Sequence, residues 1–161
     1  MIGLYAVALV VVIYVTRATA RRVIGALAGG AAAALMALGA ITLCDTLGWW
    51  KIPFAATPYF ALLFYVGMAI TCSPIYLVTW RVARRFGWRG LAVCVAIVAV
   101  VGPPRDYLYA AMFPQWMVFS PGVAPILADS ATYIGIVVLG HAVMRLVVGS
   151  ARQDRLARGA A

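Results

Sequence analysis

Long apolar segments are the feature of this sequence that most constrains how the chain can fold. Four of them, 23–44, 57–79, 91–113 and 126–148, have the roughly 20 residues that a helix needs to cross a hydrocarbon core of about 30 Å, and the shorter segment 2–16 precedes them. Of the 161 residues, 66% are hydrophobic and 11% are charged, whereas a soluble domain has about 45–50% apolar and about 25% charged residues. The sequence therefore predicts an all-α fold, a polytopic membrane bundle of five transmembrane helices.

Basic residues flank these segments and predict the orientation of the bundle. Eleven of the 13 Lys and Arg residues follow the first segment, follow the third segment or lie at the C-terminal end. They are Arg17, Arg21, Arg22, Arg81, Arg84, Arg85, Arg89, Arg145, Arg152, Arg155 and Arg158. Because cytoplasmic loops are enriched in Lys and Arg, we expect the N-terminus outside and the C-terminus in the cytoplasm. We expect residues 1–161 to form one transmembrane domain of a multi-pass protein in the bacterial inner (plasma) membrane.

Charge and cysteine content limit the partners and cofactors to be expected. The net charge of +9 comes from the flanks of the apolar segments, so it does not indicate a nucleic-acid partner. The expected partners are the lipid bilayer, a hydrophobic small-molecule substrate, and further subunits in a homo- or hetero-oligomer. The cysteines Cys44, Cys72 and Cys94 occur without a CxxC motif or a nearby His, so we expect no metal site, no disulfide and no cofactor.

Proline and polar residues concentrate in one part of the chain, 102–133. This part holds five of the eight prolines, two of the four acidic residues and the adjacent pair Arg105–Asp106. Polar and helix-breaking residues are costly in lipid, so such a cluster is the first place to look for function. Within it, the segment 113–125 has three prolines and the apolar run Trp116–Phe119. We expect this segment to lie flat in the interface or to dip back as a cap over the mouth of the bundle.

Three aspartates fall at the same end of the predicted bundle. Asp45, Asp106 and Asp129 lie at the outer ends of the second, fourth and fifth segments, with Lys51 and Arg105 nearby. If the Arg105–Asp106 pair is partly buried, each charge needs a partner, and Arg105 can neutralise Asp106 or Asp129. The alternative to a functional site is a salt bridge that ties the fourth helix to the fifth.

Aromatic residues accompany these charges on the outer side. The candidates for substrate contact, besides Arg105, are Trp49, Trp50, Tyr107, Trp116 and Tyr133. The alternative is an interfacial belt, because Trp and Tyr are enriched at the level of lipid headgroups.

Two other features are interpreted chiefly as packing. The second segment is rich in small residues, including the pair Gly25 and Gly29, and small faces let helices approach closely in lipid. The same face can dimerise or seat a flat ligand. His141 lies one turn before Arg145, and a lone intramembrane His can relay protons or ligate haem. No second His exists, so a hydrogen-bonded packing role is the favoured interpretation.

The order of several residues resembles that of small integral-membrane carotenoid and terpene biosynthesis proteins, the lycopene-cyclase-like and carotenoid-hydratase-like groups. These residues are Asp45, Trp49–Trp50, Pro58, Phe60–Tyr65, Asp106, Trp116 and Asp129. The resemblance covers the second to fifth segments. It implies a helical bundle with carboxylates beside a membrane-embedded isoprenoid pocket, in which Asp106, Asp129 and Asp45 are the candidate proton donors.

The expected function is therefore acid-catalysed cyclisation or hydration of an isoprenoid or lipid-like substrate. Protonation of an alkene or epoxide needs a neutral carboxylic acid, which apolar surroundings favour, and aromatic faces stabilise a carbocation. One alternative is a non-catalytic subunit or assembly factor of a membrane complex. Another is a small-solute transport component, although the first three segments offer few polar residues for a hydrophilic path.

Overall fold

Four helices make up most of residues 2–149, the part of the chain that this computed structural model describes. They are α1 (Ile2–Thr16), α2 (Ala20–Thr46), α3 (Phe60–Met112) and α4 (Val123–Val148). The helices α2, α3 and α4 are long and apolar enough to cross a membrane, whereas α1 is shorter. The predicted all-α class is confirmed, but the described chain forms four helices where the apolar segments predict five.

The difference in helix number arises at Gly87 in α3. This residue has φ 68° and ψ −152°, a backbone conformation that glycine adopts readily and other residues adopt at a cost. It divides α3 into a first limb, residues 60–86, and a second limb, residues 88–112. The sequence predicts separate helices over 57–79 and 91–113. The stretch between them is helical apart from Gly87, because its arginine and alanine residues are good helix formers.

The two limbs of α3 run in opposite directions along α4. Tyr76 and Gly102 are 26 residues apart, which is about 39 Å along a straight helix. Yet the Tyr76 hydroxyl donates to the carbonyl of Ile136 over 2.9 Å, and Gly102 lies against the ring of Tyr133. These two positions on α4 are less than one turn apart. The chain must therefore reverse its direction at Gly87.

Small residues let α2 pack closely against two neighbours. A Cβ atom on Gly29 would overlap the backbone carbonyl of Gly140 in α4, and one on Gly30 would overlap the carbonyl of Ala69 in α3. A Cβ atom on Gly25 would overlap Val148. The face that contains Gly25 and Gly29 is therefore used for packing within the chain, as the favoured interpretation predicts.

A short ribbon of two strands joins the α2–α3 and α3–α4 connections. β1 (Trp50–Lys51) pairs antiparallel with β2 (Val118–Phe119), with Trp50 opposite Phe119 and Lys51 opposite Val118. Next to it, the backbone N–H and hydroxyl of Ser120 both donate to the carbonyl of Trp49 over 2.9 Å. A 3-10 helix, Pro53–Ala56, follows β1. The segment after α3 is thus a strand partner of the other connection, which the sequence did not predict.

The bundle has two chemically distinct ends. At one end, which we call the aspartate end, lie the ribbon, Asp45, Asp106 and Asp129. There the rings of Phe54 and Trp116 are 5.0 Å apart, so the beginning and the end of α3 lie together.

The opposite end, which we call the arginine-rich end, is where α1 and α4 finish. Arg81 Nη1 donates to the carbonyl of Thr16, and Arg21 Nε donates to that of Val147, both over 3.3 Å. Its described arginines are Arg17, Arg21, Arg22, Arg81, Arg84, Arg85, Arg89 and Arg145. Arg152, Arg155 and Arg158, which also entered the orientation prediction, lie outside the described residues.

Candidate functional site

Arg105, Asp106 and Tyr133 form a closed hydrogen-bond network at the aspartate end. Arg105 donates from Nε and Nη2 to Asp106 Oδ1 over 2.9 and 2.7 Å. The Tyr133 hydroxyl donates to Asp106 Oδ2 over 2.7 Å and accepts a hydrogen bond from Arg105 Nη2. The expected ion pair therefore forms within α3. The link to α4 runs through the Tyr133 hydroxyl.

Local sequence positions this network. α3 continues as a helix through Pro103 and Pro104 to Met112. The nearby Gly102 has no side chain, and a Cβ atom there would overlap the ring of Tyr133. This close approach brings the tyrosine hydroxyl within reach of both charged groups of the next turn.

Asp129 lies on α4 beside the network, but it has no such partners in the part of the chain that the structure describes. Its side chain is only 4% exposed, and Oδ2 has no hydrogen-bond partner among the described residues. It precedes Tyr133 by four residues, which puts both on the same face of α4. It interacts electrostatically with Asp106 and Arg105. Because buried polar atoms nearly always have partners, this carboxyl group is the unusual member of the cluster and the candidate for a functional role.

An aromatic cluster covers this end of the bundle. Phe119 in β2 stacks on Tyr107 with ring centroids 4.1 Å apart, and it meets Trp50 edge-on at 5.6 Å. Tyr107 Oη and Trp50 Nε1 are buried and, like Asp129 Oδ2, have no hydrogen-bond partner in the described part of the chain. Phe119 was missed from the sequence, where it looked like one apolar residue in a proline-rich segment. Its role depends on the strand pairing with β1.

The structure leaves other candidates outside this cluster. The Asp45 side chain is exposed, while its neighbour Cys44 is buried. Trp49 is half-buried and contributes its backbone carbonyl to Ser120. Trp116 is exposed and packs on Phe54 at the edge of the ribbon. The residues that the structure brings together are Arg105, Asp106, Tyr107, Asp129, Tyr133 and Trp50.

His141 lies away from these residues, toward the arginine-rich end. It is buried, and its Nδ1 lies 3.1 Å from Thr79 Oγ1, which in turn donates to the carbonyl of Tyr76 over 3.1 Å. Because the Thr79 hydroxyl donates its proton to that carbonyl, it can only accept a hydrogen bond from His141. The geometry therefore favours the His141 tautomer with the proton on Nδ1. This arrangement agrees with the hydrogen-bonded packing role favoured from the sequence.

No protein-family model, curated protein or solved structure matches this chain. The proposals for its function therefore rest on the residues of the aspartate end.

Proposed function

We propose that the chain crosses the membrane five times, with the aspartate end outside and the arginine-rich end in the cytoplasm of a bacterial cell. The reversal at Gly87 supports this topology, because it makes α1, α2, the two limbs of α3, and α4 alternate in direction. The limbs are about 40 and 38 Å long at 1.5 Å per residue, enough for a hydrocarbon core of about 30 Å. α1 is about 22 Å long and requires local thinning of the bilayer. The collection of arginines at one end agrees with the enrichment of Lys and Arg on the cytoplasmic side.

We propose further that the aspartate end binds an isoprenoid or lipid-like molecule and catalyses its cyclisation or hydration by acid. One observation carries this proposal, namely the buried carboxyl group of Asp129 with an unpartnered oxygen beside a charged network. The resemblance to carotenoid and terpene biosynthesis proteins implies the same chemistry.

Within this proposal the aspartates have different roles. Asp106 accepts two hydrogen bonds from Arg105 and one from Tyr133, so its two oxygens are held as a counterion and positioning group. Asp129 has no such donors within residues 2–149. Apolar surroundings favour a neutral carboxyl group, which is the form that can give up a proton. Asp45 is exposed, and the proposed reaction does not use its carboxyl group.

The reaction balances with this chain's own groups. The Asp129 carboxyl proton adds to one carbon of an alkene, which leaves a carbocation on the other carbon and a carboxylate on the protein. In hydration, water attacks the cation and its surplus proton returns to Asp129. In cyclisation, a second double bond of the substrate attacks the cation, which closes the ring and moves the positive charge to the other carbon of that double bond. A carbon next to the new cation then loses a proton to Asp129, and a double bond forms between the two. The rings of Tyr107, Trp50 and Phe119 can stabilise the cation through their faces.

The test is production of a new isoprenoid in a bacterial host that makes linear isoprenoids. Lipids and pigments are separated by chromatography and analysed by mass spectrometry, since cyclisation gives an isomer and hydration adds the mass of one water. We expect the product to fall about 100-fold or more in Asp129→Asn, because a positioned acid typically contributes at least that much. Asp45→Asn is the matched control and should keep the product.

Two further measurements make the result decisive. Thermal unfolding in detergent shows whether Asp129→Asn remains folded. Asp129→Glu should retain part of the activity, because it keeps a carboxyl group that can donate a proton. Unchanged lipids and pigments with a folded wild-type protein would contradict catalysis. A fixed co-purifying membrane protein in that case would favour the alternative of a non-catalytic subunit.

A further inference from the structure

The reversal of α3 at Gly87 exposes two large aromatic side chains. Phe86 is 60% exposed and Trp88 is 75% exposed. Close packing holds the turn, since a Cβ atom on Gly90 would overlap the Cβ atom of Phe86. We call residues 85–89, with the sequence Arg-Phe-Gly-Trp-Arg, the aromatic turn. It lies at the arginine-rich end, and the proposed chemistry at the aspartate end uses none of its residues.

An arginine accompanies each of the two rings. The Arg85 guanidinium carbon lies 5.2 Å from the centroid of the Phe86 ring, and that of Arg89 lies 6.0 Å from the centroid of the Trp88 ring. Both arginine side chains are exposed. Cation–π contacts at exposed positions contribute little to folding, so stability alone does not explain this arrangement. The aromatic turn therefore presents two apolar rings and two positive charges side by side.

The aromatic turn lies just beyond the apolar part of the second limb of α3. That apolar part begins at Leu91, and Trp88 precedes it by three residues, or about 4.5 Å along a helix. The headgroup layer is about 5–7 Å deep on each side of the hydrocarbon core. If α3 crosses the membrane as a hairpin, as in the proposed topology, Trp88 lies within this layer, where Trp is enriched.

Charge distinguishes the partners that suit this surface. The described aspartates, Asp45, Asp106 and Asp129, all lie at the aspartate end. A second copy of the chain would bring the arginines of two turns together, and like charges disfavour such a contact. Anionic phospholipid headgroups have the opposite charge, and basic residues next to the end of a transmembrane helix attract them.

We propose that the aromatic turn binds anionic phospholipid headgroups of the membrane that the chain crosses. Phe86 and Trp88 enter the boundary between headgroups and acyl chains, while Arg85 and Arg89 bind headgroup phosphates through their planar guanidinium groups. In phosphatidylglycerol, unlike phosphatidylcholine, no positive group of the headgroup competes with these arginines. The inference rests on the hairpin crossing of the proposed topology and is independent of the proposed catalysis.

The test uses the full chain reconstituted in phosphatidylcholine vesicles, with Trp88 as the reporter. The vesicles contain the same small fraction of either brominated phosphatidylglycerol or brominated phosphatidylcholine, with bromine on the acyl chain close to the headgroup. The part of the fluorescence that is absent from Trp88→Phe belongs to Trp88, and its quenching shows which lipid lies beside the turn. Iodide in the water reports contact with solvent. We expect strong quenching by the brominated lipids, stronger with phosphatidylglycerol, and little quenching by iodide.

Removal of the two charges tests the role of the arginines. We expect Arg85→Gln combined with Arg89→Gln to reduce the preference for phosphatidylglycerol about fivefold or more, since one arginine near an anionic surface contributes about that factor. Arg17→Gln combined with Arg21→Gln is the matched control, because it removes two exposed arginines of the same end outside the turn. The control should keep the preference. Thermal unfolding of each variant distinguishes loss of lipid binding from loss of fold.

Three results would overturn the proposal. Quenching of Trp88 by iodide but not by the brominated lipids would place the turn in water, and protection from both quenchers would indicate a contact between copies of the chain. Equal quenching by the two brominated lipids would show no preference for an anionic headgroup. Equal losses in the two double variants would show only general attraction to a positive end. The product assay for the aspartate end uses none of these residues, so a failure of either proposal is seen separately.

Discussion

At the scale of single residues, Asp106 and Asp129 show how partners decide the role of a carboxyl group. Both lie at the aspartate end, but Asp106 accepts hydrogen bonds on both oxygens and Asp129 Oδ2 accepts none in the described chain. Tyr133 supplies the partner of Asp106 Oδ2. Its hydroxyl also accepts from Arg105, and it links this pair to α4.

Removal of that hydroxyl should loosen the contact between α3 and α4. We expect Tyr133→Phe to lower the free energy of unfolding by about 1–3 kcal/mol, since Asp106 Oδ2 and Arg105 each lose a partner. Denaturant titration in detergent micelles measures this change. Tyr59→Phe is the control, because Tyr59 is 71% exposed and its loss should change stability by less than about 0.5 kcal/mol. Equal effects of the two substitutions would argue against a structural role for the network.

At the scale of helices, glycines determine both the packing of α2 and the reversal of α3. Gly29 and Gly30 bring α2 against the backbones of α4 and α3, so the small-residue face is already occupied. This occupation argues against a homodimer formed through the same face. Gly87 acts differently, through its backbone conformation alone, because a Cβ atom there would meet no atom within 4 Å.

Gly87→Ala should therefore destabilise the hairpin of α3 through the backbone. A residue with a side chain is strained by about 1–3 kcal/mol in this region of φ and ψ, and we expect a loss of that size in the free energy of unfolding. Gly39→Ala is a close control, since Gly39 is helical and also has no atom within 4 Å of an added Cβ. It should raise stability by about 0.5–1 kcal/mol, because alanine favours the helix. A loss in both variants, measured by unfolding in detergent, would contradict this explanation.

At the scale of the whole molecule, the two ends of the bundle differ in charge and in chemistry. The aspartate end holds the proposed acid and the aromatic cluster, and the arginine-rich end holds all the described arginines except Arg105. The proposed five-pass topology would place these ends on opposite sides of the membrane. A chain that crossed the membrane only three times would not separate them in this way.

Cysteine labelling tests this topology directly. In a background with Cys44, Cys72 and Cys94 replaced by alanine, Lys51→Cys and Arg89→Cys each introduce one exposed thiol. An impermeant maleimide added to intact cells should label the cysteine at position 51 and should label that at position 89 only after the membrane is opened. Labelling of both positions from the same side would refute the proposed topology.

The sequence by itself determined the apolar helical class and the segregation of charge. Both are sums over many residues, so windows of hydropathy and counts of arginine report them without any knowledge of contacts. It also predicted that Arg105, Asp106 and Asp129 belong together, because proline and polar residues are rare inside apolar helices.

Only the tertiary structure decided which of these residues have partners. Tyr133 is 27 residues from Asp106, and nothing in their spacing predicts the hydrogen bond between them. Phe119 covers Tyr107 only because two short connections pair as strands, and α3 reverses at Gly87 instead of ending before the arginines. Such contacts join parts of the chain that local propensity cannot relate. Among the described residues, they single out Asp129 as the buried carboxyl group whose Oδ2 has no hydrogen-bond partner.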